Sequence, residues 1–247
     1  TFIIDACAAH VLQRVDAEDP DTYVIYLGDN GTWMFGPNRE FIDNMYITRV
    51  DRSKGTAYES GARVEMAIRG PRIRAGVQSE APVNGVDLFA TILDLARVPV
   101  PKKVPDRNGK MISPDARSLA PVLFRGARQV RDPWRDYQLA ETMNPVKNNM
   151  LHVAARNARY KVICANDTQA ASCEFYDLVE DPLEEYPLAR PASCDAYQAG
   201  KLKVTLPEWS YCHLHEVLAK ESILSQPKPK AAAPTPPPRA PASQEGQ

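Results

Sequence analysis

The sequence predicts an α/β fold followed by a small antiparallel sheet, and two patterns support this prediction. Over residues 2–15 apolar side chains recur at helical spacing, and a loop containing Pro20 then leads into the apolar run Tyr23–Leu27. A helix, a short loop and a buried strand form the repeating unit of α/β proteins. Beyond Arg131 the pattern changes to short strand-like segments separated by turn residues, which is typical of an antiparallel sheet.

The bulk composition narrows the classes of function. The chain has 247 residues and a formal net charge of -1, so it has no basic field that would attract nucleic acid. No apolar run approaches the roughly 20 residues of a membrane-spanning helix, and the first residues lack the features of a signal peptide. We therefore expect no nucleic-acid partner and no membrane span.

The first candidate site follows the run Tyr23–Leu27, which we expect to be a strand buried on both faces. Asp29-Asn30-Gly31 stands at its carboxyl end, where open α/β sheets bind their ligands. Adjacent carboxylate and amide oxygens suit calcium or magnesium better than zinc. The same three residues are also a common turn, so on their own they leave both interpretations open. The Gly-, Pro- and aromatic-rich residues 33–38 should form an ordered surface loop.

The second candidate site is the segment that begins at Lys54. Glycines at Gly55 and Gly61 allow the backbone to approach a ligand closely, and the lysine ammonium suits a tetrahedral oxyanion. The alternative is an ordinary loop with solvated charges. The apolar residues 66–68 follow and stop at Gly70-Pro71.

The remaining elements follow from hydrophobic spacing. An amphipathic helix is marked by Val86, Phe89, Ile92, Leu93 and Ala96 and ends in the region Pro99–Pro105. A second short segment surrounds residues 118–124. Strands are predicted at 137–140, 151–155, 160–163 and 174–178, with a hairpin turn at 156–159. A closing helix spans 207–224 with Pro207 near its first turn, and the Pro/Ala-rich residues 225–247 should be disordered.

These elements predict four parts of the chain. Residues 1–130 form a partial α/β core, 131–188 a small antiparallel sheet, 189–224 a loop with the closing helix, and 225–247 the disordered tail. The five cysteines form no C-x-x-C pair, which argues against a zinc ribbon. Disulfides Cys164–Cys173 and Cys194–Cys212 are hypotheses that the sequence leaves as open as free thiols.

Several short segments occur in an order that points to one family. They are Asp29-Asn30-Gly31, Lys54-Gly55 through Arg63-Val64, Gly70-Pro71, Val86-Asp87-Leu88, Thr91-Ile92-Leu93, Glu174-Phe175-Tyr176-Asp177-Leu178 and Asp181-Pro182-Leu183-Glu184. In this order they resemble the C-terminal half of a sulfatase of the alkaline-phosphatase-like superfamily. The implied fold is the C-terminal part of a mixed sheet flanked by helices, plus a small antiparallel sheet with a closing helix. The chain departs from the family pattern at Ser60, Glu65, Ala90 and Phe175, which indicates a divergent member.

The resemblance implies roles for three residues. Asp29 and Asn30 become oxygen ligands of a calcium ion, with magnesium possible, and Lys54 becomes the catalytic and substrate-binding residue that contacts the sulfate. Superfamily members with two zinc ions commonly have Asp-His-Gly at this place, so Asn30 favours a single hard ion. The implied substrate is a sulfate ester, and the usual setting of the family is periplasmic or secreted.

The nucleophile of the family is not found in this sequence. Sulfatases use a formylglycine made from a Cys or Ser in a Cys/Ser-x-Pro/Ala-x-Arg signature, which we expect in a missing N-terminal half. The histidines His10, His152, His213 and His215 do not match family contexts and are expected to be surface or packing residues. We therefore expect this chain alone to be inactive, with an exposed strand edge that favours aggregation or a partner carrying the N-terminal half.

Two alternatives remain open at this stage. A degenerate sulfatase half could survive as a non-catalytic binding or interaction module, using its C-terminal sheet and Pro-rich tail. A phosphodiesterase or phosphonate hydrolase of the same superfamily is the alternative among enzymes.

Overall fold

The computed structural model describes residues 2–31, 52–106, 108–144, 150–166, 168–200 and 204–222. Its helices and strands are, in chain order, α1 Phe2–Glu18, β1 Val24–Leu27, α2 Glu59–Ala62, β2 Met66–Arg69, α3 Asp87–Leu95, β3 Val104–Pro105, β4 Met111–Ile112, α4 Ala120–Arg125, β5 Gln138–Asn144, β6 Met150–Arg156, β7 Tyr160–Ala165, β8 Cys173–Asp177, α5 Asp195–Gln198 and α6 Leu206–Glu221. The loop expected at 33–38 and the tail expected at 225–247 lie outside the described residues.

The first unit combines α1 with a two-stranded sheet. β1 pairs antiparallel with β2, so that Val24 lies opposite Arg69 and Leu27 opposite Met66. An ion pair of 2.6 Å between Arg69 Nη2 and Asp16 Oδ1 joins β2 to the end of α1. The helix and the first strand were predicted from the sequence and are confirmed, and the apolar residues 66–68 lie in β2.

The burial expected for this unit is wrong. Tyr26 is 53% exposed and Leu27 39%, whereas both faces of β1 were predicted to be covered. On α1 the apolar residue Val11 is 59% exposed. The reason is that β1 has β2 as its one neighbouring strand among the described residues, and a two-stranded sheet cannot cover both of its own faces.

Helix α3 is confirmed, but its buried face differs from the predicted one. The buried residues are Asp87, Ala90 and Thr91. Three of the apolar residues that marked the helix are instead about half exposed, namely Val86, Phe89 and Ile92. The hydrophobic pattern predicted the helix correctly. The hydrogen bonds of one acidic residue, however, orient a different face of the helix towards the protein interior.

That acidic residue is Asp87, which is 0% exposed at the start of α3. Its carboxylate accepts hydrogen bonds from the backbone N–H groups of Arg117 at 2.7 Å and Asn84 at 2.9 Å. It also forms an ion pair with Arg131. One turn later, Thr91 Oγ1 accepts a hydrogen bond of 3.0 Å from the N–H of Leu119, which precedes α4. A buried carboxylate is tolerated only with such partners, so this face of α3 has to point inwards.

The larger sheet has the strand order β5-β6-β7-β8, and every neighbouring pair is antiparallel. The four strands predicted from the sequence are therefore confirmed. The hairpin turn between β6 and β7 is also confirmed, and Asn157 closes it by accepting hydrogen bonds from Tyr160 N at 2.7 Å and Arg159 N at 3.0 Å.

The two faces of this sheet cover different parts of the chain. Alternate residues of β6, β7 and β8 on one face pack against α6, with Val162, Phe175, Leu214 and Leu218 at the centre. Ala154, Ile163 and Tyr176 on the other face pack against Ala57 and Tyr58, which belong to the loop that begins at Lys54. Because side chains alternate along a strand, each strand serves both layers.

Helix α6 is fixed by a capping box at its start and by a disulfide. Thr205 Oγ1 accepts a hydrogen bond from Glu208 N at 3.4 Å, and Glu208 Oε2 accepts one from Thr205 N at 3.0 Å, which together form a capping box. Pro207 lies in the first turn, as predicted. Both disulfides that the sequence left open are formed: Cys194–Cys212 joins the α5 region to α6, and Cys164–Cys173 joins β7 to β8.

Four buried or half-buried charges join the Lys54 loop to the sheet. Lys161 Nζ on β7 lies 2.9 Å from Glu59 Oε1 and 2.9 Å from Glu184 Oε1. Arg156 Nη1 at the end of β6 lies 2.6 Å from Glu59 Oε2. Glu184 Oε2 also accepts a hydrogen bond of 2.6 Å from the backbone N–H of Glu59. Two cations and two carboxylates thus balance one another, with Lys161 and Glu184 buried and Arg156 at the edge that water reaches.

The two carboxylates of this network respond to burial in opposite ways. Burial alone would raise the pKa of Glu59, but the charges of Lys161 and Arg156 outweigh it and hold that pKa below the ordinary value of 4.5. For Glu184, burial raises the pKa above its ordinary value, because Lys161 offsets the loss of water only in part. Lys161 is therefore the charge on which both carboxylates depend.

The fold class is confirmed as α/β with antiparallel sheets. The proposed domain boundaries at 130, 188 and 224 stay predictions. Within the described residues, no helix has both the length and the apolar character needed to cross a bilayer.

We predict that Lys161→Met destabilises the chain by about 3–5 kcal/mol at neutral pH, because it removes the ammonium group that lies 2.9 Å from both buried carboxylates. Without the lysine both carboxylate pKa values rise, so the native variant takes up protons and regains stability as the pH falls towards 4.5. In the wild type, Lys161 limits this gain to the raised pKa of Glu184, and the contribution of Glu59 is lost only as the pH falls below 4.5 through its lowered pKa. The difference in the free energy of unfolding, measured in urea at several pH values, should therefore shrink on acidification.

Lys220→Met is the matched control, since Lys220 forms a surface ion pair with Glu216 one turn earlier on α6. Its side chain is 64% exposed, so we expect a cost of about 0.5 kcal/mol or less. Equal losses for the two variants would contradict the dependence of the fold on the buried network.

We also predict that the chain self-associates at high concentration through its exposed apolar residues on β1 and α3. The replacements Tyr26→Lys and Phe89→Lys should each lower the associated fraction in light scattering. Both native side chains are about half exposed, so each replacement adds a charge at the surface without removing core packing. A wild-type chain that stays monomeric at high concentration would count against this prediction.

Candidate functional site

The turn after β1 is held tightly at both ends. The N–H of Gly28 donates a hydrogen bond to Glu65 O at 3.0 Å, and the N–H of Gly31 donates one to Gly61 O at 3.0 Å. A Cβ at Gly31 would lie 2.1 Å from the carbonyl oxygen of Ser60, so only glycine allows this approach. The turn that contains Asp29 and Asn30 is therefore placed against the end of the Lys54 loop.

The Lys54 loop is folded on itself. Ser53 O accepts hydrogen bonds from Thr56 N at 3.1 Å and from Thr56 Oγ1 at 2.7 Å. A Cβ at Gly61 would lie 2.5 Å from each of the carbonyl oxygens of Ser53 and Thr56, so the loop closes around this glycine. Lys54 itself is exposed at the turn, while Thr56 and Glu59 point into the protein. The loop thus has an anchored inner side and an outer side that carries the lysine.

The turn and the loop together provide some of the groups that a cation site needs. Asp29 is exposed and Asn30 half-buried. One carboxylate and one amide oxygen fit a hard cation such as calcium, which takes 6–8 oxygen ligands. Two residues supply only part of such a set. Their assignment as metal ligands, and that of Lys54 as the sulfate-contacting residue, stay predictions.

A buried aromatic cluster lies behind the loop. Tyr58 and Tyr176 donate hydrogen bonds of 2.6 Å and 2.7 Å to the same oxygen, Glu174 Oε2. The guanidinium of Arg52 lies 4.6 Å from the ring centre of Tyr58 and 5.6 Å from that of Tyr176. Burial, followed by the hydrogen bond to Glu174, raises the pKa of both tyrosines. Both hydroxyls therefore stay protonated at neutral pH and serve as hydrogen-bond donors.

As expected, the histidines of the larger sheet and of α6 pack against neighbouring groups. His152 is buried, with its ring 6.3 Å from that of Tyr58 in an edge-to-face arrangement. On α6, His213 Nε2 lies 2.8 Å from Arg135 O, whereas His215 Nε2 lies 2.7 Å from Thr168 O. The two α6 histidines thus face different neighbours, because residues two positions apart on a helix point to different faces.

Sequence reasoning missed the residues that position the loop. Glu59 was noted in the family pattern and otherwise assigned to a solvated loop, and Lys161 was seen only as one residue of a strand. A signal for Lys161 does exist in the sequence, because it stands between Tyr160 and Val162-Ile163. Ile163 lies on the same face of the strand as Lys161, and a lysine that shares a buried apolar face needs carboxylates beside it. The identity of those carboxylates depends on the tertiary fold.

Two family models match the chain. The model named Sulfatase matches residues 3–98, and the model named N-sulphoglucosamine sulphohydrolase, C-terminal, matches residues 52–206. The two matches overlap across the Lys54 loop and together contain Asp29, Asn30 and Lys54. The second match alone spans more than half of the chain.

Curated relatives agree with these models. The chain is 30% identical over 162 residues to the extracellular sulfatase SULF-1 homolog of Drosophila melanogaster. The aligned region covers 65% of this chain and 12% of the relative. It is 28% identical over 163 residues to arylsulfatase K of Homo sapiens, covering 66% of this chain and 27% of the relative. The chain thus spans about a quarter or less of the length of these two relatives.

The fold also has a solved counterpart. BT4656, whose structure contains its substrate D-glucosamine-2-N,6-O-disulfate, aligns with a TM-score of 0.55 at 23% identity over 83% of this chain and 37% of that protein. At this identity the likeness shows the fold alone. The two family models show that the chain belongs to the sulfatase family, and that most of it corresponds to a C-terminal region of that family.

Proposed function

We propose that this chain contributes part of the calcium and sulfate site of a sulfuric ester hydrolase. The observation that carries the proposal is the hydrogen bond from Gly31 N to Gly61 O. It brings the turn with Asp29 and Asn30 against the loop that carries Lys54. Two oxygen ligands and one ammonium group then stand on neighbouring segments of the chain.

The chemistry of a sulfate ester suits these groups. As the S–O bond breaks, negative charge is held on the nonbridging oxygens and on the leaving oxygen. A calcium ion held in part by Asp29 and Asn30 would supply positive charge to those oxygens. Lys54 would bind another of them as a compact cation on a flexible stem. Family membership favours this reaction over the phosphodiester and phosphonate alternatives.

The substrate class and compartment follow by analogy. One structural relative has a sulfated glucosamine as its substrate, and one curated relative is named as extracellular. We propose a sulfate ester as the substrate and a periplasmic or secreted location. The two disulfides support this location, because such bonds form and persist in oxidising compartments.

We further propose that the reaction needs polypeptide beyond these residues. The sequence contains no Cys/Ser-x-Pro/Ala-x-Arg signature from which a formylglycine could be made. The nucleophile and the remaining metal ligands would then come from an N-terminal half of the enzyme, in the same polypeptide or in a partner chain.

We predict that the purified 247-residue chain does not hydrolyse an aryl sulfate, with or without calcium, because its sequence lacks the signature from which the formylglycine nucleophile is made. The measurement is release of the phenol from a chromogenic aryl sulfate. Metal-dependent turnover by this chain, abolished by Lys54→Ala, would show that the nucleophile lies within these residues and would overturn the prediction.

We predict that the chain nevertheless binds a hard cation weakly, in about the millimolar range, since two of the usual ligands are present. Terbium is a suitable probe because it replaces calcium, and Tyr26, three residues before Asp29, can transfer excitation to it. Asp29→Asn and Asn30→Ala should each weaken the tyrosine-sensitised terbium emission several-fold.

Asp5→Asn is the matched control, since Asp5 is an exposed acid on α1. It removes one carboxylate from the same half of the chain and should leave the emission unchanged. Equal losses for Asp5 and Asp29 would indicate unspecific binding and would favour the non-catalytic interaction module that the sequence also allows.

A further inference from the structure

A second group of metal-binding side chains lies on the opposite face of the larger sheet, away from the Lys54 loop. The Sγ atoms of Cys164 and Cys173 and a ring nitrogen of His215 all lie within 4.8 Å of one another. Cys164 is 0% and Cys173 4% exposed, and His215 is half-buried on α6. Two thiolates and an imidazole are ligands that zinc and other soft or borderline ions prefer.

The hydrogen bond of His215 to the backbone is of the kind that metal-bound histidines make. His215 Nε2 lies 2.7 Å from the carbonyl oxygen of Thr168, which can only accept a hydrogen bond, so Nε2 carries the proton. In the neutral ring the lone pair then lies on Nδ1. A backbone carbonyl that fixes the tautomer in this way is the usual outer partner of a metal-bound histidine. The ring is also held parallel to Tyr211, with an angle of 8° and 5.6 Å between ring centres.

The two cysteines are linked in this structure, so the site exists only in the reduced chain. They stand directly opposite each other on β7 and β8. A reductant that supplies two electrons, with two protons from solvent, converts the disulfide into two thiols. A bound Zn²⁺ then displaces those two protons and accepts a lone pair from each sulfur and from His215 Nδ1, with water as fourth ligand.

The carbonyl oxygen of Gln169 lies 3.3 Å from Cys173 Sγ, so in the reduced chain it can accept a hydrogen bond from the Cys173 thiol. A divalent cation has to displace that proton, and its charge then offsets the repulsion between the carbonyl oxygen and the thiolate. In a tetrahedral zinc site the sulfur atoms lie about 3.7 Å apart, which neighbouring cysteines on paired strands can reach by side-chain rotation.

We propose that the reduced form of the Cys164–Cys173 pair, together with His215, binds Zn²⁺ or a similar soft or borderline metal ion. The chain thus holds the same two strands together in two ways, by a covalent bond when oxidised and by a metal when reduced. The site would be available in the newly made chain, before its disulfides form.

The second disulfide provides an internal contrast. His213 follows Cys212 in the sequence, but both of its ring nitrogens are engaged, Nδ1 at 3.2 Å from Tyr197 OH and Nε2 at 2.8 Å from Arg135 O. Among the described residues, the group at Cys164 and Cys173 is the one set of three cysteine, histidine or acidic side chains with this spacing.

Cobalt(II) titration of the full chain tests the proposal. The chain carries Cys7→Ser, because Cys7 is an exposed free thiol that could itself bind metal. It is reduced with a phosphine, desalted without oxygen and titrated with Co²⁺. We expect one equivalent per chain with a thiolate-to-cobalt charge-transfer band and the visible spectrum of tetrahedral cobalt, both absent from the oxidised chain. Excess Zn²⁺ should displace the cobalt.

Three variants make the result specific. His215→Gln should weaken Co²⁺ binding by at least about tenfold, and the double change Cys164→Ser with Cys173→Ser should abolish the charge-transfer band. The matched control, Cys194→Ser with Cys212→Ser, should keep it. A reduced chain without the band, or a band that survives the Cys164 and Cys173 changes, would overturn the proposal.

Folding is monitored by circular dichroism, because the reduced chain could lose structure. If it does, Zn²⁺ should restore the signal in the Cys7→Ser chain and not in the Cys164 and Cys173 double variant, since binding and folding are coupled at such sites. Failure of zinc either to bind or to restore structure would also overturn the proposal. None of these outcomes depends on sulfatase activity.

Discussion

The buried ion pair between Glu59 and Lys161 is the constraint on which the arrangement of this chain depends. It joins a loop of the α/β unit to the middle of a sheet that begins almost eighty residues later. Arg156 and Glu184 complete the charge balance, and the N–H of Glu59 adds a hydrogen bond to Glu184. A buried network of this kind costs desolvation energy, so it adds little net stability while strongly disfavouring any arrangement that breaks it. It therefore specifies where the loop lies.

Close backbone contacts carry this constraint to the proposed site. The loop is anchored from behind by Glu59, Ala57 and Tyr58, and it closes around Gly61. Gly31 then packs against Gly61, which places Asp29 and Asn30 beside the same loop. The C-terminal sheet thus supports the proposed site from behind without contributing a ligand to it.

Local pattern predicted most of the elements, and tertiary interactions decided what they bury. α1, α3, α6 and the four strands of the larger sheet follow from spacing, caps and turns in the sequence. The exposure of Tyr26 and Leu27 does not, because burial of a strand depends on neighbours that a local pattern cannot specify. The orientation of α3 was also missed, because the hydrogen bonds of Asp87 outweigh the exposure of Phe89 and Ile92. At the site, residue types indicated Asp29, Asn30 and Lys54, but no local signal could pair Glu59 with Lys161.

The sequence distance within the ion network has a consequence for how the chain is made. Glu59 and Glu184 are 125 residues apart, so the loop cannot be fixed until the ribosome has passed residue 184 and released it from the exit tunnel. At typical rates of synthesis, this takes roughly ten seconds after Glu59 itself has been added. During that interval the segment that carries Lys54 lacks its anchor and the sheet behind it. A chaperone that binds the growing chain would therefore find this segment before it is anchored.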